Sequence, residues 1–394
     1  MNQDVWITGI GIVSSLGEGS EENWQAFDSA AAPVLDRDTI PPFAIHPMVE
    51  LDLSKQIAKR GDQRQMETWQ RLGVYAAGLA IDDAAARDPD LLDRMDMIVA
   101  AGGGERDIAV DNQIMTEMLQ TNDRARMLIE RLSNELRPTL FLAQLPNLVA
   151  GNISIVHGVR GSSRTFMGEE ASGLDAIRNA HARIAAGQSD ICLVGGSFNA
   201  AREDMLLLFE MGGYNWLGDE DSVWARKDDN GGVRLGSMGA FLMLESADHA
   251  RKRGKAAIAA LKAVAADREA REPGSITASL ASMWQDIASH ATGSLGIISG
   301  ATGVTDQTQE ELDFLERIGV PIRASASRIG HGVESQAPFN LALAAMCVQH
   351  GRMFAPSDTA GVEKPSSDAI TDILVTNVGH WRGEGLALVG KADI

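Results

Sequence analysis

The sequence has 394 residues, 44% hydrophobic and 23% charged, which is enough apolar material to bury a core and excludes disorder as the main state. At about 100–200 residues per domain it makes two or three domains, or one large layered body. Lys plus Arg number 35 against 54 Asp plus Glu, a net charge of −19 that repels phosphate backbones and anionic membranes, so no nucleic-acid partner is expected. Residues 4–13 read as a buried strand opening on a glycine turn. Residues 62–86 are helical, with Trp69, Leu72, Tyr75, Ala76 and Leu79 near helical spacing. Residues 97–100 form a short apolar strand running into Gly102-Gly103-Gly104. A helix over 175–186 precedes a strand over 191–194 that stops at Gly195-Gly196. Another strand over 239–244 leads to a helix through His249 and Arg251. The second half continues the alternation with strand 296–298, helix 309–318, a long apolar helix 337–348, and strands 373–376 and 385–389. Strands alternating with helices predict an α/β layered fold. No Pro/Ser-rich linker interrupts it, and the soft midpoint lies near 248–255.

Generic motifs carry little. Gly9-Ile10-Gly11-Ile12-Val13-Ser14 begins like a dinucleotide fingerprint but has Ser14 at the third glycine, so a tight turn is the simpler reading. There is no phosphate-loop Gly-Lys-Ser/Thr and no Gly-x-Ser-x-Gly elbow. The eight histidines never pair at helical metal spacing, and Cys192 and Cys347 read as small buried hydrophobes. Neither a cofactor nor a metal is expected. No Lys or Arg precedes Arg37, so the basic region of a signal peptide is missing. No apolar run reaches the roughly 18–20 residues of a membrane span. The expected placement is cytoplasmic, with no membrane insertion.

Longer segments say more. Residues 5–27, VWITGIGIVSSLGEGSEENWQAF, resemble the opening of the β-ketoacyl-ACP synthases. So do LPNLVAGNISIVHGVRGSS (145–163), DICLVGGS (190–197), NGGVRLGSMGAFLMLESADHARKRG (230–254) and Arg328-Ile329-Gly330-His331, in the family's order along nearly the whole chain. The resemblance implies the thiolase-like five-layered α-β-α-β-α fold of two similar halves, taken here as 1–250 and 251–394, and dimeric assembly.

At the catalytic positions the sequence departs from the family. Active members use a cysteine at a helix N-terminus, whose thiolate the helix dipole favours, and two histidines. Aligning 161–173 with the nucleophile segment puts Glu170 where that cysteine belongs. Ser299 stands at the first histidine, Glu310 matches a glutamate further along, and His331 keeps the second histidine. Ala326, five residues before His331, replaces a lysine, and residues 380–383 match the Gly-Phe-Gly-Gly gate with Trp381 at its phenylalanine. A carboxylate is a poor acyl acceptor, since the product would be an anhydride, and an ionised Glu170 would repel a malonyl carboxylate. Losing one polarising donor costs about 2.7–4 kcal/mol in a hydrolase oxyanion hole. Each residue also has a plainer reading: Glu170 as a helix cap, His331 as a core histidine, Trp381 as filler, Glu310 as an ion-pair partner.

The resemblance therefore implies a condensation-inactive subunit of chain-length-factor type, paired with an active ketosynthase or forming a homodimer. The alternative is a divergent 3-oxoacyl-ACP synthase or malonyl-ACP decarboxylase acting through Glu170 and His331; condensation by a Glu170→Cys variant would point to His380 as compensating for the other losses. Lys59, Arg60 and Arg64, with Lys55, are either a solvated face or the surface that docks acyl carrier protein. Thr139, Leu140 and Phe141 resemble the segment that reaches toward a partner's acyl pocket. Residues 152–156 are expected as a strand pairing across the dimer axis, with Asn152, Ser154 and Val159 covered by the partner. KRGDQRQMETWQRL (59–72), GGGERD and RTFMGEE most resemble α-proteobacterial paralogues that make very-long-chain acyl groups for lipid A.

Overall fold

The computed structural model describes residues 3–136, 140–358, 360–366 and 368–393. Its strands are β1 (Val5–Ser14), β2 (Gly17–Glu18), β3 (Asp96–Ala100), β4 (Ser163–Phe166), β5 (Ile191–Phe198), β6 (Met238–Ser246), β7 (Ala259–Asp267), β8 (Leu295–Ser299), β9 (Ile322–Ala324), β10 (Asp372–Val378) and β11 (Glu384–Gly390). The main helices are α1 (Thr68–Asp83), α2 (Ile108–Met118), α3 (Arg124–Asn134), α4 (Leu148–His157), α5 (Ala171–Ala185), α6 (Glu203–Met211), α7 (Ser275–Ile287), α8 (Thr305–Ile318) and α9 (Gln336–His350).

Strand order is β4-β3-β5-β6-β1-β7-β11-β10-β8-β9, with β2 a short hairpin on β1. The two sides of the β1/β7 seam repeat each other. β3 runs parallel to β4 and β5, then β5/β6 and β6/β1 are antiparallel. β8 runs parallel to β9 and β10, then β10/β11 and β11/β7 are antiparallel. The seam itself is thin, pairing Trp6 with Ala260 and Ile7 with Ala259.

Alternating side chains on each strand feed different apolar layers. Ile98 and Ala100 face a central core with Leu174, Ile177, Leu341 and Ala345, while Met97 and Val99 face an outer core with residues of α1 and α4. On the other half, Ile373, Ala387 and Val389 face the central core, and Leu374, Leu386 and Leu388 face α7 and α8. The layers are thus α1/α4, sheet, α5/α9, sheet, α7/α8. Strands buried on both faces read as unbroken apolar runs, as these do. Helix α9 lies between the two halves of the sheet, so it is buried all round from Gln336 to Val348 rather than along one stripe.

Three expectations need correction. Gly9 and Gly11 do not turn the chain; β1 continues to Ser14, and a Cβ on Gly11 would lie 2.1 Å from the Ala76 carbonyl oxygen of α1. The glycine lets helix and strand backbones touch. β5 does not stop at Gly195-Gly196, because β6 pairs with it across both glycines. Residues 152–156 are helical: Val149, Ala150, Ile153 and His157 are buried at helical spacing in α4. Val159 is buried within the chain itself. The strand before α5 is β4, which forms the open edge of the sheet and exposes Ser163 and Arg164. β7, AALKAVAAD, was not anticipated, since its alanines carry no strand preference. Cys192 and Cys347 are free and buried, and burial raises both thiols.

Candidate functional site

Glu170 immediately precedes α5, on a helical backbone, and is fully buried. Its side chain makes no capping bond, so the cap reading fails. Instead Oε1 accepts from Nδ1 of His380 at 2.5 Å, and lies 3.6 Å from Nε2 of His331. Burial pushes the Glu170 carboxyl up, but His380 and His331 outweigh it and hold the group well below the usual carboxylate range. The N-terminal end of α5 favours the same anion. Burial lowers the His331 imidazole, and Glu170 offsets this only in part.

His331 is placed by backbone. Its N–H donates to Arg234 O at 2.8 Å and its carbonyl accepts from Gly236 N at 2.9 Å. The preceding Gly330 has φ +69°, and a Cβ there would strike His46 and the Arg234 carbonyl. Both ring nitrogens of His331 lack a hydrogen-bond partner, as does Oε2 of Glu170.

His380 is the second histidine of the site, and it comes from the gate loop. Its Nε2 pairs with Thr302 Oγ1 at 2.9 Å, and its carbonyl accepts from Gln307 Nε2 at 3.0 Å. Arg271 donates to the Gly379 carbonyl at 2.7 Å and pairs with Glu384, which clamps the loop from below. Phe209, Tyr214 and Trp381 surround the imidazole, with ring centroids 5.2–6.0 Å away. Trp381 is 36% exposed and packs edge-on to Phe209 and Tyr214. The side chain turned into the cluster is therefore His380, one residue before Trp381, which was aligned to the family phenylalanine. That one-residue shift between adjacent aromatic side chains was the available signal.

Ser299 does not join this cluster. Its Oγ donates to Glu311 Oε1 at 2.6 Å and accepts from Ala301 N at 3.0 Å. Glu311 is fully buried, which raises its pKa, and also accepts from Thr376. Glu310, the residue expected here, points the other way and accepts from Gly274 N and Ile276 N, capping α7. Thr308, Glu311, Leu312 and Leu315 form the buried face of α8, which leaves Glu310 outside it. Ala326 is buried, and its neighbour Ser325 belongs to a neutral hydrogen-bond network with Gln336 and Asn340. Asn340 ties that network to the Ser299 carbonyl.

A cavity of about 220 Å³ opens beside the cluster, lined by Trp69, Met167, Glu169, Phe209, Glu334 and Trp381 among others. That is below the roughly 300–1,000 Å³ of ordinary small-molecule sites. Burial and the nearby Glu170 charge push the Glu334 carboxyl up to about 8. Leu140 is buried and Phe141 is 69% exposed, and neither lines the cavity. Thr139 lies outside the described residues. Lys59, Arg60 and Arg64 are exposed around a short helix (Arg60–Gln65), whereas Lys55 pairs with Glu18. No helix among the described residues is long and apolar enough to cross a membrane.

A duplicated α-β-α-β-α body with a polar cluster at the N-terminus of a central helix defines a thiolase-like ketosynthase fold. Residues 2–250 match the model of the β-ketoacyl synthase N-terminal domain, and the chain belongs to that family. It is 24% identical over 259 residues to 3-oxoacyl-[acyl-carrier-protein] synthase 2 of Vibrio cholerae, covering 64% of this chain and 59% of that one. The chain spans about three fifths of the length of such synthases. It is 24% identical over 427 residues, and 98% of each chain, to the actinorhodin polyketide putative β-ketoacyl synthase 2 of Streptomyces coelicolor. Among solved structures, the ishigamide ketosynthase/chain length factor superposes with a TM-score of 0.81 at 18% identity over the whole of both chains.

Proposed function

We propose that this chain is a non-condensing subunit of a β-ketoacyl synthase, of chain-length-factor type, that pairs with an active ketosynthase in acyl or polyketide chain building. Glu170 carries the reading: the nucleophile position holds a carboxylate, ionised and already engaged by His380. An acyl group passed to it would give an anhydride, and its charge opposes a malonyl carboxylate. The position of the first histidine holds no imidazole, and the small cavity leaves little room for an acyl chain. A tunnel completed by a partner fits that size.

The partner surface includes β4. An open edge is a template for pairing with another strand. Beside it, Ile155 and Met167 are each 70% exposed, and α6 exposes Leu207 and Met211. A dimer of this class buries more than about 2,000 Å². Lys59, Arg60 and Arg64 are offered as the docking surface for acyl carrier protein. Very-long-chain products of the lipid A type are the finer reading, carried only by the segments of resemblance quoted above.

Co-expression with an active ketosynthase carrying the Cys-His-His set tests this reading by native mass spectrometry, product analysis and intact mass. A mixed dimer, products that change with this chain, and no acyl adduct on Glu170 are expected. Separate homodimers, with malonyl-ACP decarboxylated by this chain alone and lost in Glu170→Gln, would establish the enzyme reading instead.

A further inference from the structure

Glu170, His331 and His380 are brought together from segments remote in sequence, and one oxygen or nitrogen of each lies within 4.8 Å of the others. All three are buried to within 1%. More than nine in ten buried polar groups in folded proteins have a partner, yet three polar atoms here have none: Glu170 Oε2, His331 Nδ1 and His331 Nε2. Glu169 and Glu334 add further carboxyl oxygens near Glu170; Glu169 is paired with Arg382, and the nearby Arg202 is already paired with Asp204.

We propose that these three side chains form a divalent-metal site, with zinc the fitting ion. Two imidazoles and one carboxylate are a recurrent donor set for zinc, with bonds of about 2.0–2.2 Å and a fourth position left for water. Ligand atoms around a tetrahedral ion at that range sit about 3.3 Å apart, and the Glu170 Oε1 to His331 Nε2 separation is 3.6 Å. Glu170 to His380 is now a hydrogen bond, and a metal replaces it: the imidazole changes tautomer, its proton moving from Nδ1 to Nε2, and Nε2–H then donates to Thr302 Oγ1. That second contact fixes the ring with Nδ1 toward Glu170, as outer partners of metal-binding histidines do. Glu169 and Trp381, chain neighbours of two of the ligands, line the cavity through which an ion enters. The ion would tie the gate loop to α5 and to the His331 segment whether or not the chain condenses acyl groups.

The test uses the purified full chain, stripped with a chelator and titrated with zinc chloride against a chromophoric competitor, and separately with cobalt chloride. Saturable binding of one zinc per chain is expected, with a rise in thermal midpoint and visible d–d absorption for cobalt. Glu170→Gln and His331→Ala should abolish binding, and Thr302→Ala should weaken it by about 10–100-fold. Far-UV circular dichroism and thermal melts of each variant separate lost binding from lost folding. A wild-type chain with neither stoichiometric zinc nor a cobalt spectrum overturns the proposal without recourse to any variant. Full binding retained in both folded Glu170→Gln and His331→Ala would place the metal elsewhere and overturn it equally.

Discussion

Replacing Glu170 measures what its buried charge contributes to the fold. Glu170→Ala removes the carboxylate and leaves Nδ1 of His380 without its acceptor in a site closed to solvent. Breaking a buried pair in this way costs about 3–5 kcal/mol. Glu170→Gln is isosteric: its amide oxygen still accepts from His380, and its N–H₂ takes the place of the unpartnered Oε2. Only the charge is lost, so the cost is roughly that of weakening a charge-assisted bond, about 1–2 kcal/mol. At 1.4 kcal/mol per decade, the alanine variant loses on the order of 10²–10³ in folding equilibrium and the glutamine variant about tenfold. The pH dependence has a fixed sign. The folded-state pKa of Glu170 lies below its unfolded value, so its contribution is complete above the ordinary glutamate range and is lost as pH falls below it. The lowered His331 acts in the same direction, its contribution fading below the ordinary histidine range. Urea unfolding followed by tryptophan fluorescence, with chelator present, at pH 7 and in steps toward pH 4, measures the gap between wild type and Glu170→Gln. The gap should narrow as the pH drops. A glutamine variant as stable as wild type or more so at pH 7 would show that the desolvation cost of Glu170 exceeds its pairing, refuting the reasoning.

Glu170→Cys should remain incompetent in condensation, because Ser299 is held by Glu311 and the lysine position is Ala326; turnover of acyl- and malonyl-ACP near that of an active synthase would defeat this. Gly11→Ala should lower the thermal midpoint by the equivalent of about 3 kcal/mol, since its Cβ meets helix backbone at 2.1 Å and no rotamer relieves it. Glu334→Gln should match wild type at acid pH and exceed it in stability above pH 8: the raised carboxyl binds its proton more tightly when folded, so its contribution is complete below the unfolded pKa and lost as pH rises through about 8. Arg271→Ala should cost about 3–5 kcal/mol by stranding the buried Glu384. It should also shift Trp381 emission and speed proteolysis in 379–383; a loop as resistant as wild type would mean that Arg271 does not hold it.

The strands that read most clearly in the sequence were those buried on both faces, such as 373–376 and 385–389, because burial on two sides leaves an unbroken apolar run. β7 was illegible for the opposite reason: alanines pack there against larger neighbours, so the hydrophobic mass lies on other strands. Residues 152–156 failed because a short apolar run has no period long enough to separate helix from strand. At the site, Glu170 and His331 were visible because each fills a position in a longer motif. His380 was legible in the sequence only as a residue that compensates for the losses, because a hydrogen bond to Glu170 across 210 residues leaves no local spacing to count. Glu310 and Glu311 are adjacent, and only the helical phase of α8 decides which one turns inward. Metal spacing likewise has meaning only within one element, and this cluster draws on three.

The seam between β1 and β7 also bears on how such a chain changes its role. Glu170 lies on one side of that seam and His331 and His380 on the other, so the cluster is shared between the two topologically repeated halves. The span that identifies the family, residues 2–250, carries the carboxylate and neither imidazole. Recognition as kin therefore rests on one half, while the cluster needs side chains from both. A change at Glu170, inside the recognised span, can repurpose the site while that span still announces its ancestry, which makes relatedness a poor witness to occupation.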